Sequence, residues 1–118
     1  MVTAITIDDD EYAVELFCEY LEILQVKVLG KGYNGKEAVE LYEKFKPDIV
    51  FLDLLMPDYD GIYALENIRK ANPDAFVVVI TAVVDQGRRD KIIELKPNHV
   101  IQKPFDPEQI VAVVNEIK

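Results

Sequence analysis

A single cysteine, a single histidine and no apolar run long enough to cross a bilayer set the first limits on this chain of 118 residues. Cys18 has no partner for an internal disulfide. Its place inside an amphipathic helical pattern makes it a small core or boundary residue rather than a reactive thiol. The longest apolar stretch, residues 75–84 with Thr81 interrupting it, is about half of the ~20 residues that span a membrane, and the N-terminus has no basic region of the kind that opens a signal peptide. The chain therefore reads as cytoplasmic, with no membrane contact. Basic residues are also scarce: 13 Lys and Arg stand against 22 Asp and Glu, a net charge of −9. That balance argues against direct nucleic acid binding, whose affinity comes largely from Lys and Arg at phosphates. Linkers, repeats and low-complexity segments are absent, so residues 1–118 form one domain. A chain of this length buries roughly two thirds of its unfolded surface and needs no disulfide or metal staple.

What is present is a regular alternation. Apolar strand-like runs at Val2 to Ile7, Val26 to Gly30, Ile49 to Leu52, Phe76 to Ile80 and His99 to Gln102 are each followed by a helical pattern, which predicts an α/β fold with a parallel sheet covered on both faces. In the first helix Ala13, Leu16, Phe17, Tyr20, Leu21 and Leu24 recur at spacings of three and four, a stripe expected to face the sheet. Ile110, Val113, Val114 and Ile117 repeat the pattern in the last. Asn34 with Glu37 resembles a capping box, Asp60 suits the cap of the third helix, and Asp106-Pro107 is a cap followed by proline at the first helical position. Asn72-Pro73 ends the third helix. The fourth helix, roughly Gln86 to Leu95, is the weakest, because it carries Gly87 and the charge run Arg88-Arg89-Asp90-Lys91. Five such units with right-handed crossovers predict a doubly wound, flavodoxin-like sheet of five strands in the order 2-1-3-4-5, with five helices and a topological switch between strands 1 and 3.

The chemistry sits at the ends of those two strands. The first runs out into Asp8-Asp9 and the third into Asp53, a carboxylate directly after four apolar residues. Two carboxylates about 5 Å apart repel by roughly 3 kcal/mol at an effective dielectric of about 20, so three together call for a cation. All-oxygen ligation favours a hard ion, and Mg²⁺ is usually held by one or two carboxylates with waters and phosphate oxygens. Asp8-Asp9-Asp10-Glu11 equally suits the acidic first turn of a helix, and on these residues alone both readings stand. Two further strand ends add a hydroxyl at Thr81-Ala82 and an ammonium at Lys103-Pro104-Phe105. Together the groups supply an oxygen nucleophile, a metal site, a hydrogen-bond donor and a positive charge, the parts that phosphoryl transfer requires.

In these motifs, and over essentially its full length, the chain resembles a two-component response-regulator receiver domain of the single-domain chemotaxis type. Asp8-Asp9 resembles the family's acidic pair, Asp53 its phosphoacceptor, Met56-Pro57-Asp58-Tyr59-Asp60-Gly61 its loop, Thr81-Ala82 its hydroxyl and small residue, and Lys103-Pro104-Phe105 its lysine and proline. The resemblance implies that Asp53 attacks the phosphorus of a phosphohistidine on a sensor histidine kinase or phosphotransfer protein. It further implies Mg²⁺ bound by Asp8 or Asp9, Asp53 and the backbone carbonyl of Leu55, with Lys103 and Thr81 holding the phosphoryl oxygens. Slow dephosphorylation, a cis Lys103-Pro104 bond and switching through the fourth helix, fifth strand and fifth helix, a face read by a downstream target or output domain, are implied as well.

Three positions depart from the family's pattern. Val100 stands three residues before the lysine, where the family commonly has a signalling aromatic, and is expected to be core strand. Leu55 and Val83 are apolar at positions that flank the phosphoryl group, which suggests restricted water access and a long-lived aspartyl phosphate. His99 is expected at a partly exposed strand edge, and Arg88, Arg89 and Lys91 as a solvated charge run. A haloacid dehalogenase type of phosphatase would place a second acid two residues after its nucleophile, where this chain has Leu55. A flavin mononucleotide site would be repelled by Asp8-Asp9-Asp10. A receiver fold that docks partners without cycling phosphate is the remaining alternative.

Overall fold

A computed structural model describes residues 1–82 and 85–118. The chain alternates strictly: β1 (Thr3–Ile7), α1 (Glu11–Ile23), β2 (Lys27–Gly32), α2 (Gly35–Phe45), β3 (Ile49–Leu52), α3 (Gly61–Ala71), β4 (Val77–Thr81), α4 (Gln86–Leu95), β5 (His99–Gln102) and α5 (Pro107–Ile117). The strands form one parallel sheet in the order β2-β1-β3-β4-β5. Every residue of β3 and β4 is buried, which is why both read as continuous apolar runs rather than alternating ones. Thr81 is the last residue of β4, one position further into the strand than its sequence context suggests.

Alternation along the strands divides the core in two. Ile5, Ile7, Val50, Leu52, Val77 and Val79 face α2, α3 and α4, meeting Ala38, Tyr42, Leu65, Ile68 and Ile92. Ala4, Ile49, Phe51, Val78, Ile80 and Ile101 face α1 and α5, meeting Leu21, Ile110, Val113 and Val114. Caps form largely as expected. Asp60 accepts from the Tyr63 amide, and Asp106 makes a full capping box with Gln109 ahead of Pro107. The Asn34 side chain accepts from the Glu37 amide, but Glu37 reaches back to the amide of Tyr33 rather than Asn34. Asn72 closes α3.

Two expectations are corrected. The stripe expected along α1 holds except at one position: Leu21 is buried and Phe17, Tyr20 and Leu24 pack against the core, joined by Val14 and Cys18, while Leu16 is 50% exposed. Two contacts in the C-terminal half of the helix help fix the face it presents. Cys18 Sγ lies 3.3 Å from Thr6 Oγ1 of β1, and the Tyr20 hydroxyl donates to the Pro107 carbonyl at 3.1 Å, which draws the helix toward α5. Val100 is not core but 53% exposed. It lies on edge strand β5, on the α4 side of the sheet, and residues 85–90 leading into and along α4 are themselves exposed and do not cover it. His99 is partly exposed, as expected, and pairs with Glu116.

Candidate functional site

The sheet ladder continues past the strand ends and carries the site residues with it. Beyond β1, the Asp8 amide donates to the Gly32 carbonyl at 3.2 Å. Beyond β3, the Asp53 amide donates to Ile7 at 2.9 Å, and beyond β5 the Lys103 amide donates to Thr81 at 2.8 Å. Each backbone is therefore fixed by its neighbouring strand, not by a loop. Gly61 tightens the arrangement from below. Its amide donates to the Leu54 carbonyl at 3.0 Å, and a Cβ there would overlap the Asp53 carbonyl oxygen and come within 2.6 Å of Leu54 Cα. Only glycine lets α3 begin this close to the chain carrying Asp53.

The ambiguity of the first acidic run is resolved by division of labour. Asp10 caps α1, accepting from the amides of Tyr12 and Ala13, while Asp8 and Asp9 are left to the site. Asp8, Asp9 and Asp53 each offer a carboxylate oxygen, and these atoms lie within 4.8 Å of one another. Lys103 Nζ sits 3.0 Å from Asp8 Oδ2 and 3.6 Å from Asp53 Oδ2. Four of the five side chains singled out in the sequence thus meet in one cluster. Thr81 stands on the adjacent strand, facing a groove with Ile92, Ile93 and Val100. The Leu55 side chain is 37% exposed, and Val83 lies outside the described residues. The Lys103–Pro104 peptide is cis.

Electrostatics mark Asp53 as the group under most pressure. Burial pushes its carboxyl up to about 6; the Lys103 ammonium pulls it down and the Asp8 carboxylate pushes it up again. Asp9 is also raised, by burial and then by its hydrogen bond and charge contact with Asp8. Burial lowers Lys103, but the hydrogen bond to Asp8 and the charge of Asp53 outweigh it, so the ammonium is held more firmly than usual. Two buried polar atoms among the described residues have no hydrogen-bond partner, Asp53 Oδ1 and Thr81 Oγ1. Such orphaned atoms are uncommon and point to a group that belongs there when the site is in use. Three convergent carboxylates with a free buried oxygen fit a hard divalent cation.

Behind the carboxylates lies a cavity of about 90 Å³, walled by Phe17, Phe51, Ile80 and Phe105 and opening onto Asp8, Asp53 and Lys103. Phe17 packs edge-on against both Phe51 and Phe105, with ring centroids 5.0 and 5.6 Å away. This aromatic wall had no local sequence signal, because its members come from α1, β3 and the segment after β5. It surrounds the cluster with low-dielectric material, which strengthens every charge interaction in it.

Comparison with known proteins agrees with this geometry. The profile of the response regulator receiver domain matches residues 4–115. The chain is 33% identical to the chemotaxis protein CheY of Thermotoga maritima over 111 residues, covering 94% of this chain and 92% of that protein. It is 32% identical to protein CcdB of Bacillus subtilis over 117 residues, covering 99% and 98%. Among solved structures it is similar to CheY in the CheX–CheY–BeF3–Mg²⁺ complex of Borrelia burgdorferi, with a TM-score of 0.88 at 25% identity, covering 98% of this chain and 88% of that one. The receiver domain of the response regulator AraT of Geobacillus stearothermophilus gives 0.84 at 28% identity, covering 99% and 93%. With the sheet order, the acidic cluster and the lysine beside it already in place, the match over nearly the whole length makes this chain a member of the response regulator receiver domain family.

Proposed function

We propose that residues 1–118 act as a receiver whose phosphoacceptor is Asp53, charged by a sensor histidine kinase or phosphotransfer protein. The observation that carries this reading is the state of Asp53: a buried carboxylate with one oxygen held near Lys103 and the other, Oδ1, without a partner. In the reaction a carboxylate oxygen of Asp53 attacks phosphorus. The bond from phosphorus to the donor's imidazole nitrogen breaks with its electron pair, and an acyl phosphate remains on Asp53. Lys103 stabilises charge on the transferred group, and the orphaned Thr81 hydroxyl donates to a phosphoryl oxygen. Mg²⁺ would be held by Asp8, Asp9, Asp53 and the backbone carbonyl of Leu55, and when bound it neutralises charge at the reacting oxygens. Lys103 also keeps Asp53 ionised at neutral pH despite burial, since its positive charge opposes the desolvation that raises the carboxyl.

The CheX–CheY complex supports a partner-binding role for the fold, and the α4–β5–α5 face is the surface assigned here to a downstream target or output domain. The direct test is mass spectrometry after incubation with Mg²⁺ and a small phosphodonor. One phosphoryl group is expected on the wild type and none on Asp53→Ala. Equal gain in both would defeat the assignment of Asp53, and no gain in either would leave a receiver fold that works by docking alone.

A further inference from the structure

We propose that Arg69 makes the C-terminal end of α4 a fixed pivot, so that displacement of this helix is confined to its N-terminal half. The guanidinium has five N–H donors in a rigid fork, and all five are used. Nε donates to the Leu95 carbonyl at 3.3 Å. Nη1 donates to the carbonyls of Pro73, at 3.4 Å, and Ala75. Nη2 donates to the Lys96 carbonyl and to Asn98 Oδ1, both at 2.9 Å. Leu95 and Lys96 are the last residue and the cap of α4, whose carbonyls have no partner inside the helix and lie at its negative end. Asn98 continues the attachment into the sheet. Its Oδ1 also accepts from the Val77 amide, and its own amide donates to the Val77 carbonyl, both at 2.9 Å. One side chain on α3 therefore joins the end of α4, the turn into β4 and the turn into β5.

The other end of α4 has nothing comparable among the described residues. Residues 85–90 are all exposed. Their side-chain bonds stay within the helix: Asp85 with the Arg88 amide and guanidinium, and Gln86 with Asp90. Midway, Lys91 reaches Glu66 of α3 at 3.6 Å across an exposed gap, an ion pair of the kind that contributes little. Ile92 is the only buried residue of the helix. Attachment to the body thus rises from none at the first turn to two guanidinium bonds at the last, on the Leu95 and Lys96 carbonyls. The free half lies beside the groove that Thr81 faces, lined by Arg89, Ile93 and Val100. A helix held at one end transmits a push at the other as a swing, with a lever of about 15 Å for ten residues.

Hydrogen exchange on the full-length protein, read by mass spectrometry with and without Mg²⁺ and beryllofluoride, tests this. In the free wild type the amides of residues 89–91 should exchange at least about ten-fold faster than those of 95, 96 and 98, a gradient of local opening. Beryllofluoride should change exchange in 85–91 and leave 95–98 untouched. That second arm rests on Asp53 being the phosphoacceptor; the first does not. Arg69→Gln should abolish the gradient and spread the beryllofluoride effect over 95–98, and Arg69→Lys, with fewer donors, should restore only part of it. A flat profile in the free wild type, a beryllofluoride response extending to 95–98, or an Arg69→Gln variant with the wild-type profile would each overturn the pivot. A gradient that depends on Arg69, with no response to beryllofluoride anywhere, would overturn the function proposed for Asp53 and leave the pivot standing.

Discussion

At the scale of single residues the site is built from groups that strain against one another before any ligand arrives. Asp53 illustrates the cost. Its folded pKa, about 6, lies above the ordinary 3.8, so its ionised form is disfavoured by folding. The penalty is absent below pH ~4, grows as pH rises, and is complete above pH ~6. Asp53→Asn is therefore expected to stabilise the cation-free protein by about 2–3 kcal/mol at pH 7.5 and by little at pH 4. Urea unfolding in a chelator at both values checks the sign, and equal stability at pH 7.5 would contradict the account. Leu55 governs a different property. Its apolar, 37% exposed side chain follows the proposed acceptor by two residues, and Leu55→Asn should hasten loss of the phosphoryl group by about ten-fold, or ~1.4 kcal/mol in barrier. Unchanged decay of radiolabelled or mass-tagged phosphoprotein would remove Leu55 from this role. The carboxylates and lysine were legible in the sequence because charge at the end of an apolar strand is conspicuous. Arg69 was not, because its five acceptors come from two segments, residues 73–75 and 95–98, that no local pattern joins.

At the scale of elements, the strands were readable and the exact margin of a helix's buried face was not. Burial on both faces writes β3 and β4 as unbroken apolar runs, which no exposed segment imitates. Along α1 the apolar residues cover more than one face, and Leu16, three after Ala13 and four before Tyr20, has the same helical spacing as the buried Val14, Cys18 and Leu21. The choice is made by Thr6 and Pro107, contacts that are remote in sequence. Leu16→Ala should then change stability by less than about 0.5 kcal/mol, whereas Leu21→Ala should cost about 2–5 kcal/mol. Denaturant midpoints for the pair check this, and a large loss at Leu16 would return it to the core. The exposure of Val100 is hidden from the sequence for a related reason. An apolar residue in a strand suggests core, but β5 has a neighbour on one side only, and the helix above it is covered poorly at its start. Nothing within β5 itself records that gap.

At the scale of the whole molecule, a chain of net charge −9 concentrates three carboxylates at one rim of its sheet. Folding and cation binding are consequently linked. Mg²⁺ at ten times its dissociation constant should raise the unfolding free energy by about 1.4 kcal/mol. The increment should vanish in Asp9→Asn or Asp53→Asn, and thermal unfolding over a Mg²⁺ series would measure it. A rise of the same size in those variants would assign the stabilisation to general screening. The sheet also acts as a septum. Asp8, Asp53 and Lys103 open onto the compartment of α1 and α5, whereas Thr81 faces that of α4. The two apolar compartments are sealed from each other by strands buried on both sides. Side chains of the two compartments can touch only around the carboxyl rim, where the wall stops, so a contact made by Asp53 on one side reaches Thr81 on the other over the top of the sheet rather than through it.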